Sequence, residues 1–544
     1  MIKMLLNNTV SILFLLFVAV SSSRAQTFEY EGIYYKVLTS GEQYTVEVAP
    51  SKPEGKIEVP AEVSFNNVIY RVTKIGKKAF LNCAGLNAVK LPVSVKSIGY
   101  EAFKNCINLK YVTLPDSLES IGDGAFSGCT SFASVSIPNS VKTIGARAFY
   151  RCTDLKSVIL SNSLDTIASS TFYACSALKT AVIPVSVKII GQCAFFGCDS
   201  LRSIEISDAV TTIGRDAFAF CNDLNIVNIP GSVTYIGSSP FRFCSNLTWI
   251  QVAPENRYFS SVDGVLYNRK KTKLIQCPGT KKSCSIPASV KIIGIWAFGG
   301  CGNLNTVSIP GSVKNIEDYA FIRCIGLSTI EIPNSVKKIG GYAFQNCKGL
   351  TSLVIPNSVK VIEESTFSYC ENLTSVSIPN SVRTIAPNAF ANCFGLTSVV
   401  IPNSVRTIGW GAFSECKNLE SIVLSNSLIS IGSDAFGGCK RLKTLTIPKY
   451  VRRIDDFTFT RCTGLTDIIF LGSIRKIDAS VFSGCDALRV IVCYAEKPPV
   501  VNGRLTIYQR ITLYVPQDSV KKYEAIDYYT KYCDIGAIET RSKD

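Results

Sequence analysis

Residues 139–160 read N-S-V-K-T-I-G-A-R-A-F-Y-R-C-T-D-L-K-S-V-I-L. The segment ends in Leu155-x-x-Val158-x-Leu160, with Val158 and Leu160 on one side and Ile159 on the other. That period of two is what a β-strand with one buried face requires. Earlier, Val141 and Ile144 precede Gly145 and predict a short extended piece or turn on an opposite wall. Between them, Ala148-Phe149-x-x-Cys152 reads as a single helical or 3₁₀ turn that crosses back. In most copies a proline such as Pro138, Pro333 or Pro402 follows the strand. Proline has no N–H for a sheet ladder, so the strand stops there.

The segment repeats outward in both directions. Phe80, Phe103, Phe126, Phe149, Phe172, Phe195, Phe218 and Phe241 lie 23 residues apart. After an interruption the count resumes at Phe298, Phe321, Phe344, Phe367, Phe390, Phe413, Phe436, Phe459 and Phe482. These are 17 units, eight and then nine, without a slip inside either run. A period of roughly 20–29 residues marks leucine-rich repeats. One unit cannot bury its apolar side alone, whereas stacked units share a continuous core. The expected fold is a β-rich repeat solenoid of the α/β type: a right-handed leucine-rich-repeat coil with one parallel strand per 23-residue repeat, about 17 repeats, capped at both ends.

Composition fits a folding chain, with 47% apolar and 18% charged residues. Histidine is absent, which excludes Ser-His-Asp and Cys-His catalysis and histidine metal sites. The 57 Lys+Arg outnumber the 41 Asp+Glu, so the surface favours anionic partners. Residues 1–25 read as a secretory signal, with Lys3 before an apolar stretch too short to span a bilayer and Ala25 at the cut. Residues 26–70 form an N-terminal β cap and 71–252 the first run of repeats. Residues 253–286 form an interruption, a variant repeat with a basic hairpin. Residues 287–491 form the second run and 492–544 a C-terminal cap. No transmembrane segment is expected in the mature chain.

The repeat I-P-N-S-V-K-x-I-G-x-x-A-F-x-x-C-x-x-L, nearly unbroken at 332–350 and 378–396, resembles that of BspA-like surface antigens. The interruption, 258–267 (YFSSVDGVLY), resembles a variant unit that such proteins carry. The resemblance implies a secreted or cell-surface protein that adheres to host matrix, other cells or host receptors. It implies no catalytic residues and no binding motif that transfers by position.

Seventeen of the 22 cysteines sit three residues after the repeat phenylalanine, from Cys83 to Cys485. Stacked side chains point in parallel, which suits neither a disulfide nor tetrahedral zinc, so the column is read as a dry ladder of buried thiols. Cys277 and Cys284 flank Pro278-Gly279, either as a small disulfide loop or as separate thiols. The pairing of Cys193, Cys493 and Cys533 stays open.

A residue type kept at one repeat position becomes a line on the surface. Just after the repeat valine the second run reads Lys291, Lys314, Lys337, Lys360, Arg383, Arg406, Ile429, Arg452 and Arg475, so eight of nine are basic. The first run is mixed there, with Lys96, Lys142 and Lys188 against Glu119 and Asp165. Rungs about 4.8 Å apart lie within a Debye length of about 8 Å, so these cations repel unless neutralised. Either a linear polyanion neutralises them, or nearby carboxylates such as Glu317, Asp318, Glu363 and Asp455 do. A hydroxyl row, for instance Ser134, Ser157, Thr180, Ser375 and Ser398, lies on the strand and offers donors and acceptors to a ligand or to itself. Trp249 breaks this row, as an aromatic anchor or as packing for the interruption. In the interruption, 265–277 reads as a hairpin whose turn carries Arg269, Lys270 and Lys271, either a binding protrusion or a solubilising loop.

No phosphate-binding loop, dinucleotide fingerprint or metal-ligand spacing is present in the sequence, so no catalytic, cofactor or metal residue is assigned. The leading expectation is an exported, non-enzymatic binding protein, monomeric, with an extracellular host or cell-surface protein as partner. An acidic glycan or other polyanion on the basic column is the alternative, and a structural role in a surface layer a third reading. No specific nucleic acid is expected.

Overall fold

The computed structural model describes residues 26–39, 44–502 and 509–538. The expected signal segment, 1–25, lies outside the described residues. The chain divides into two compact units, Met1–Leu224 with Ser232–Gly237 and Asn225–Gly231 with Ser238–Asp544. Both are solenoids of parallel strands.

Most coils supply a strand of three or four residues and a two-residue strand, which pair in parallel with the same element of neighbouring coils. In the first unit Ser134–Ser136 pairs with Ser157–Ile159, Val135 opposite Val158, and Ser120–Ile121 pairs with Thr143–Ile144. The predicted alternation holds: Val158 and Leu160 are buried while Ile159 is 66% exposed. The expected short extended piece on the opposite wall is the two-residue strand. The glycine after it is needed because backbones of successive coils touch there. A Cβ on Gly340 would come within 2.5 Å of the Asp318 nitrogen.

The crossing segment differs from the helical or 3₁₀ turn expected for it. Around Phe103, Ala102, Lys104 and Cys106 donate N–H bonds three residues back, to Gly99, Glu101 and Phe103. The intervening residues do not continue a helix. Glu101 and Asn105 have φ of 52° and 59°, and the N–H groups of Glu101, Phe103 and Asn105 reach Asp123, Ala125 and Ser127 of the next coil at 2.9, 2.7 and 2.7 Å. A helix would have no such outward N–H groups to give, and the buried edges of the stacked turns would go unpaired.

Inside, the repeat phenylalanines form a column, each at most 1% exposed. Neighbouring rings are 5.1–5.5 Å apart from Phe80 to Phe218 in the first unit and 4.6–5.9 Å apart from Phe298 to Phe482 in the second. Beside it runs the cysteine column. The Cys106 thiol donates to the Phe80 carbonyl at 2.9 Å, and Cys370 to Phe344 at 3.3 Å, always to the preceding coil. The Phe344 carbonyl also accepts the Cys347 N–H at 3.2 Å, so both of its lone pairs are used. Serine does the same at the corner after proline: Ser312, Ser335 and Ser381 donate to the carbonyls of Val290, Val313 and Val359 at 2.6–2.7 Å.

In the first unit the ladder starts from an antiparallel set. Thr27–Tyr30 pairs with Ile33–Thr39, which pairs with Thr45–Val48, and the last runs parallel to Val68–Ile75. In the second unit the pattern outlasts the phenylalanines. Val490–Cys493, Ile511–Val515 and Cys533–Ala537 extend the parallel sheet, beside two short helices, Val520–Glu524 and Asp527–Tyr532, that bury Tyr523 and Tyr529. No helix among the described residues is long and apolar enough to cross a membrane.

Candidate functional site

Two surfaces of the second unit repeat the same chemistry over several coils. The first is the outer face of the three-residue strands. Ser352–Val354, Ser398–Val400 and Ser421–Val423 each bury the middle residue against the core and turn the first and third outward, and Ser375–Ser377 does the same with Val376 half-buried. The outward positions are a hydroxyl row and a second row in which Val354, Val400 and Val423 are 67, 64 and 59% exposed. The first unit has its own version, with Ile159 beside Val182.

The second surface is the corner after the proline. All eight basic residues of the column, Lys291, Lys314, Lys337, Lys360, Arg383, Arg406, Arg452 and Arg475, are exposed. Backbone bonds tie them rung to rung: Lys314 N–H to Lys291, Lys337 to Lys314, Arg383 to Lys360 and Arg406 to Arg383, each at 2.8–2.9 Å. Their side chains make no ion pair among the described residues. Most of the carboxylates expected to neutralise them are engaged elsewhere. Glu317 takes the Lys273 ammonium at 2.9 Å and the Ile295 N–H at 3.0 Å, Asp318 takes the Gly341 N–H at 3.0 Å, and Asp455 pairs with Arg453. In the first unit the same position does contain a pair, Lys96 with Glu119 at 3.5 Å.

The interruption forms the expected hairpin. Val265–Asn268 runs antiparallel to Lys273–Gln276, and the Asn268 carboxamide oxygen closes the turn by accepting the N–H groups of Thr272 and Lys273 at 2.8 and 2.9 Å. The sequence does not reveal where this hairpin sits. Lys273–Gln276 replaces the two-residue strand of a normal coil, with Lys273 opposite Ile292 and Leu274 opposite Ile293. Lys291 donates its N–H to Thr272 at 2.8 Å, and the Ser289 hydroxyl donates to the Lys271 carbonyl at 3.0 Å. Arg269, Lys270 and Lys271 therefore stand at the head of the basic column, one rung before Lys291.

Comparison with known proteins agrees with this construction. A family described as the BspA type leucine-rich repeat region (6 copies) matches over four overlapping stretches, residues 73–188, 165–281, 274–396 and 383–497. The chain belongs to this family. A leucine-rich cell surface protein of Faecalibacterium prausnitzii is 29% identical, with a TM-score of 0.54, covering 74% of this chain and 96% of that one. A leucine-rich repeat protein of Bacteroides ovatus is 26% identical over 94% of this chain and 100% of its own, with a TM-score of 0.37. No curated protein matches the chain.

Other features of this BspA-type chain are separate from the basic corner. Trp249 lies on the strand wall, in Trp249–Val252, apart from the basic corner. A Cβ on Gly264 would meet its indole at 2.8 Å, and the Lys281 ammonium sits over the ring, 5.2 Å from its centre and 2.8 Å from Asp263. Trp249 thus packs against the interruption while 41% of it stays exposed on the strand wall. Cys277 and Cys284 are separate thiols in contact. Burial holds Cys277 well above the usual thiol range, while the Cys277 thiol and then the Lys281 ammonium lower Cys284. Among the described residues no cluster of acidic and cysteine side chains is placed to hold a metal ion.

Sequence reasoning missed two further lines, each visible once the repeats are aligned. Trp296, Tyr319 and Tyr342, two residues before the repeat phenylalanine, stack at 4.4 and 4.8 Å. Asn334, Asn357, Asn380 and Asn403 line the basic corner three residues before its cations, Asn426 continues the row before Ile429, and all five are exposed. The amide oxygens of Asn334 and Asn403 accept the N–H of the asparagine one coil on, at 3.1 and 2.9 Å. Those oxygens are engaged along the ladder, so what each offers a ligand is its NH₂ donor.

Proposed function

We propose that this BspA-type protein is an exported, non-catalytic adhesin whose strand face binds a protein of a host or neighbouring cell. The observation that carries the reading is the paired surface row of hydroxyls with Val354, Val400 and Val423. It exposes apolar area and backbone-spaced polar groups that no described residue covers. Exposed apolar residues repeated along one face among hydroxyls, with Ser377 between Val354 and Val400, suit a protein partner better than a small molecule. Weak contacts repeated from coil to coil add as multivalent binding does. The cell-surface description of the Faecalibacterium prausnitzii protein supports export and display.

The test is a protein-array screen of residues 26–544, followed by affinity measurement against each hit with Val354→Lys, Val400→Lys and Val423→Lys combined. The expected result is a loss of about tenfold or more, as for central apolar contacts of an interface. Full affinity in this variant, with its fold intact by circular dichroism, would remove the strand face from the interface.

A further inference from the structure

We infer that the corner running from Arg269, Lys270 and Lys271 through Lys291, Lys314, Lys337 and Lys360 to Arg383 and Arg406 binds an acidic polysaccharide along its length. This is a second site, on a different corner of the coil from the strand face, and it does not depend on the protein-binding reading. Three structural observations carry it. First, the interruption is not a separate protrusion. Its hairpin turn occupies the rung ahead of Lys291, bonded to that coil through Lys291 N–H and Ser289 Oγ, so two basic features merge into one line. Second, the line is uncompensated: among the described residues none of the column cations has an ion-pair partner, while Glu317, Asp318 and Asp455 are held by Lys273, Gly341 N–H and Arg453. Third, in the asparagine row beside it Asn334 and Asn403 have their oxygens turned into the ladder, so there the corner presents cations and N–H donors together.

A row of like charges about 4.8 Å apart raises the local potential along a line, and a polymer with anions spaced along its chain matches it by releasing counter-ions as it binds. The same row offers little to a nucleic acid. Binding to single strands without sequence preference relies on aromatic faces on which bases stack. Trp296, Tyr319 and Tyr342, five residues after Lys291, Lys314 and Lys337, are stacked on one another, so the Tyr319 ring is covered on both faces, and the exposed Trp410 near Arg406 has Pro387 and Ser433 at its position one coil either way, so it belongs to no aromatic row. Sulfate and carboxylate groups are both suitable anions for lysine and arginine, and the two sources are separated by experiment.

The experiment measures binding of residues 26–544 to immobilised heparin, chondroitin sulfate, hyaluronan, neutral dextran and single-stranded DNA. Binding to heparin or chondroitin sulfate but not hyaluronan assigns the ligand to sulfate, and binding to all three assigns it to any polyanionic glycan. In either case dextran is not bound, and affinity falls about tenfold or more between roughly 50 and 200 mM salt. Two triple variants, Lys314→Glu with Lys337→Glu and Lys360→Glu, and Arg269→Glu with Lys270→Glu and Lys271→Glu, should each lower affinity at least about tenfold. The triple Lys96→Glu, Lys142→Glu and Lys188→Glu makes the same change in net charge at the equivalent position of the first unit and should leave binding near its original strength. Equal losses from all three variants would reduce the effect to net charge and overturn the site. Binding to none of the glycans, or tighter binding to DNA than to any of them, would overturn the ligand class. Circular dichroism and melting of each variant confirm that the fold is retained.

Discussion

A cysteine in an exported chain usually signals a disulfide, yet here its value is that of a small apolar group with one donor. Cys370 fills a fully buried site and donates to Phe344 O, which Cys347 N–H already uses on its other side. Cys370→Ala removes both the donor and the packing and should cost about 1–3 kcal/mol in urea denaturation. Cys370→Ser should cost at least as much, because the shorter C–O bond draws the hydroxyl away from the carbonyl while keeping its need for a partner; a neutral serine variant would refute this account of the column. The thiols also set a pH limit. Burial pushes Cys175 and Cys416 up to about 12, and holds Cys152, Cys198, Cys370, Cys393 and Cys439 well above the ordinary value of 9.0. Below pH 9 each thiol is protonated whether the chain is folded or not, and its contribution is fully present. Between pH 9 and 12 the unfolded chain gives up protons that the folded chain retains, so stability falls by about 1.4 kcal/mol per thiol per pH unit. Melts from pH 8 to 11 should show this fall, less steeply in Cys370→Ala; a flat profile above pH 9 would contradict it.

The crossing turn shows what a repeat reveals and what it hides at the scale of an element. The strand is legible because Leu155, Val158 and Leu160 alternate, and the corner because proline ends the ladder. The turn is not read correctly because Ala-Phe-x-x-Cys has helical spacing, while its geometry rests on left-handed residues at the flanks, where many side chains are tolerated. Lys78, Glu101, Arg147, Trp296 and Tyr319 all adopt positive φ two residues before the repeat phenylalanine. A signal exists on the other flank: Asn82, Asn105, Gly128, Gly197, Gly300, Asn346, Asn392, Gly438 and Gly484 occupy the position two residues after it. Glycine and asparagine are the residues that enter this region most readily. Asn392, at φ 61°, therefore tests the turn. Asn392→Gly should be neutral or stabilise by up to about 1 kcal/mol, and Asn392→Val should destabilise by about 2 kcal/mol or more, since a branched Cβ is poorly tolerated there. A valine variant as stable as the parent by urea denaturation would mean that the turn relaxes away from the geometry seen. The candidate site is partly legible for a similar reason. The basic column falls at one repeat position and is visible by counting. Its junction with Arg269, Lys270 and Lys271 depends on Lys273–Gln276 standing in for a rung, which no spacing announces.

At the scale of the whole molecule, stability passes from coil to neighbouring coil. Neighbouring coils of the second unit are tied together by strand pairings, stacked turns, thiol bonds and ring contacts, and little connects coils further apart. A defect should then act locally and also divide what it interrupts. Phe367 is the place to test this, since its ring lies 5.5 Å from both Phe344 and Phe390, whereas Phe482 has one such neighbour, Phe459 at 5.8 Å. Phe367→Ala removes a buried ring with contacts on both sides and should cost about 3–5 kcal/mol locally. In urea it should turn unfolding into two steps, as the coils before and after the gap lose their coupling while each retains its own stacked neighbours. Phe482→Ala removes a ring with a single stacking partner and should unfold the end coils earlier without splitting the main transition. Tyrosine fluorescence and far-ultraviolet circular dichroism followed together would distinguish the two. If Phe367→Ala shifted a single transition for both probes, cooperativity in the second unit would reach beyond neighbouring coils. A ligand bridging the gap would then reveal itself as well. An acidic polysaccharide lying along Lys314, Lys337, Lys360, Arg383 and Arg406 spans coils on both sides of Phe367, binds them only while they are stacked, and should draw the two steps back together as its concentration rises.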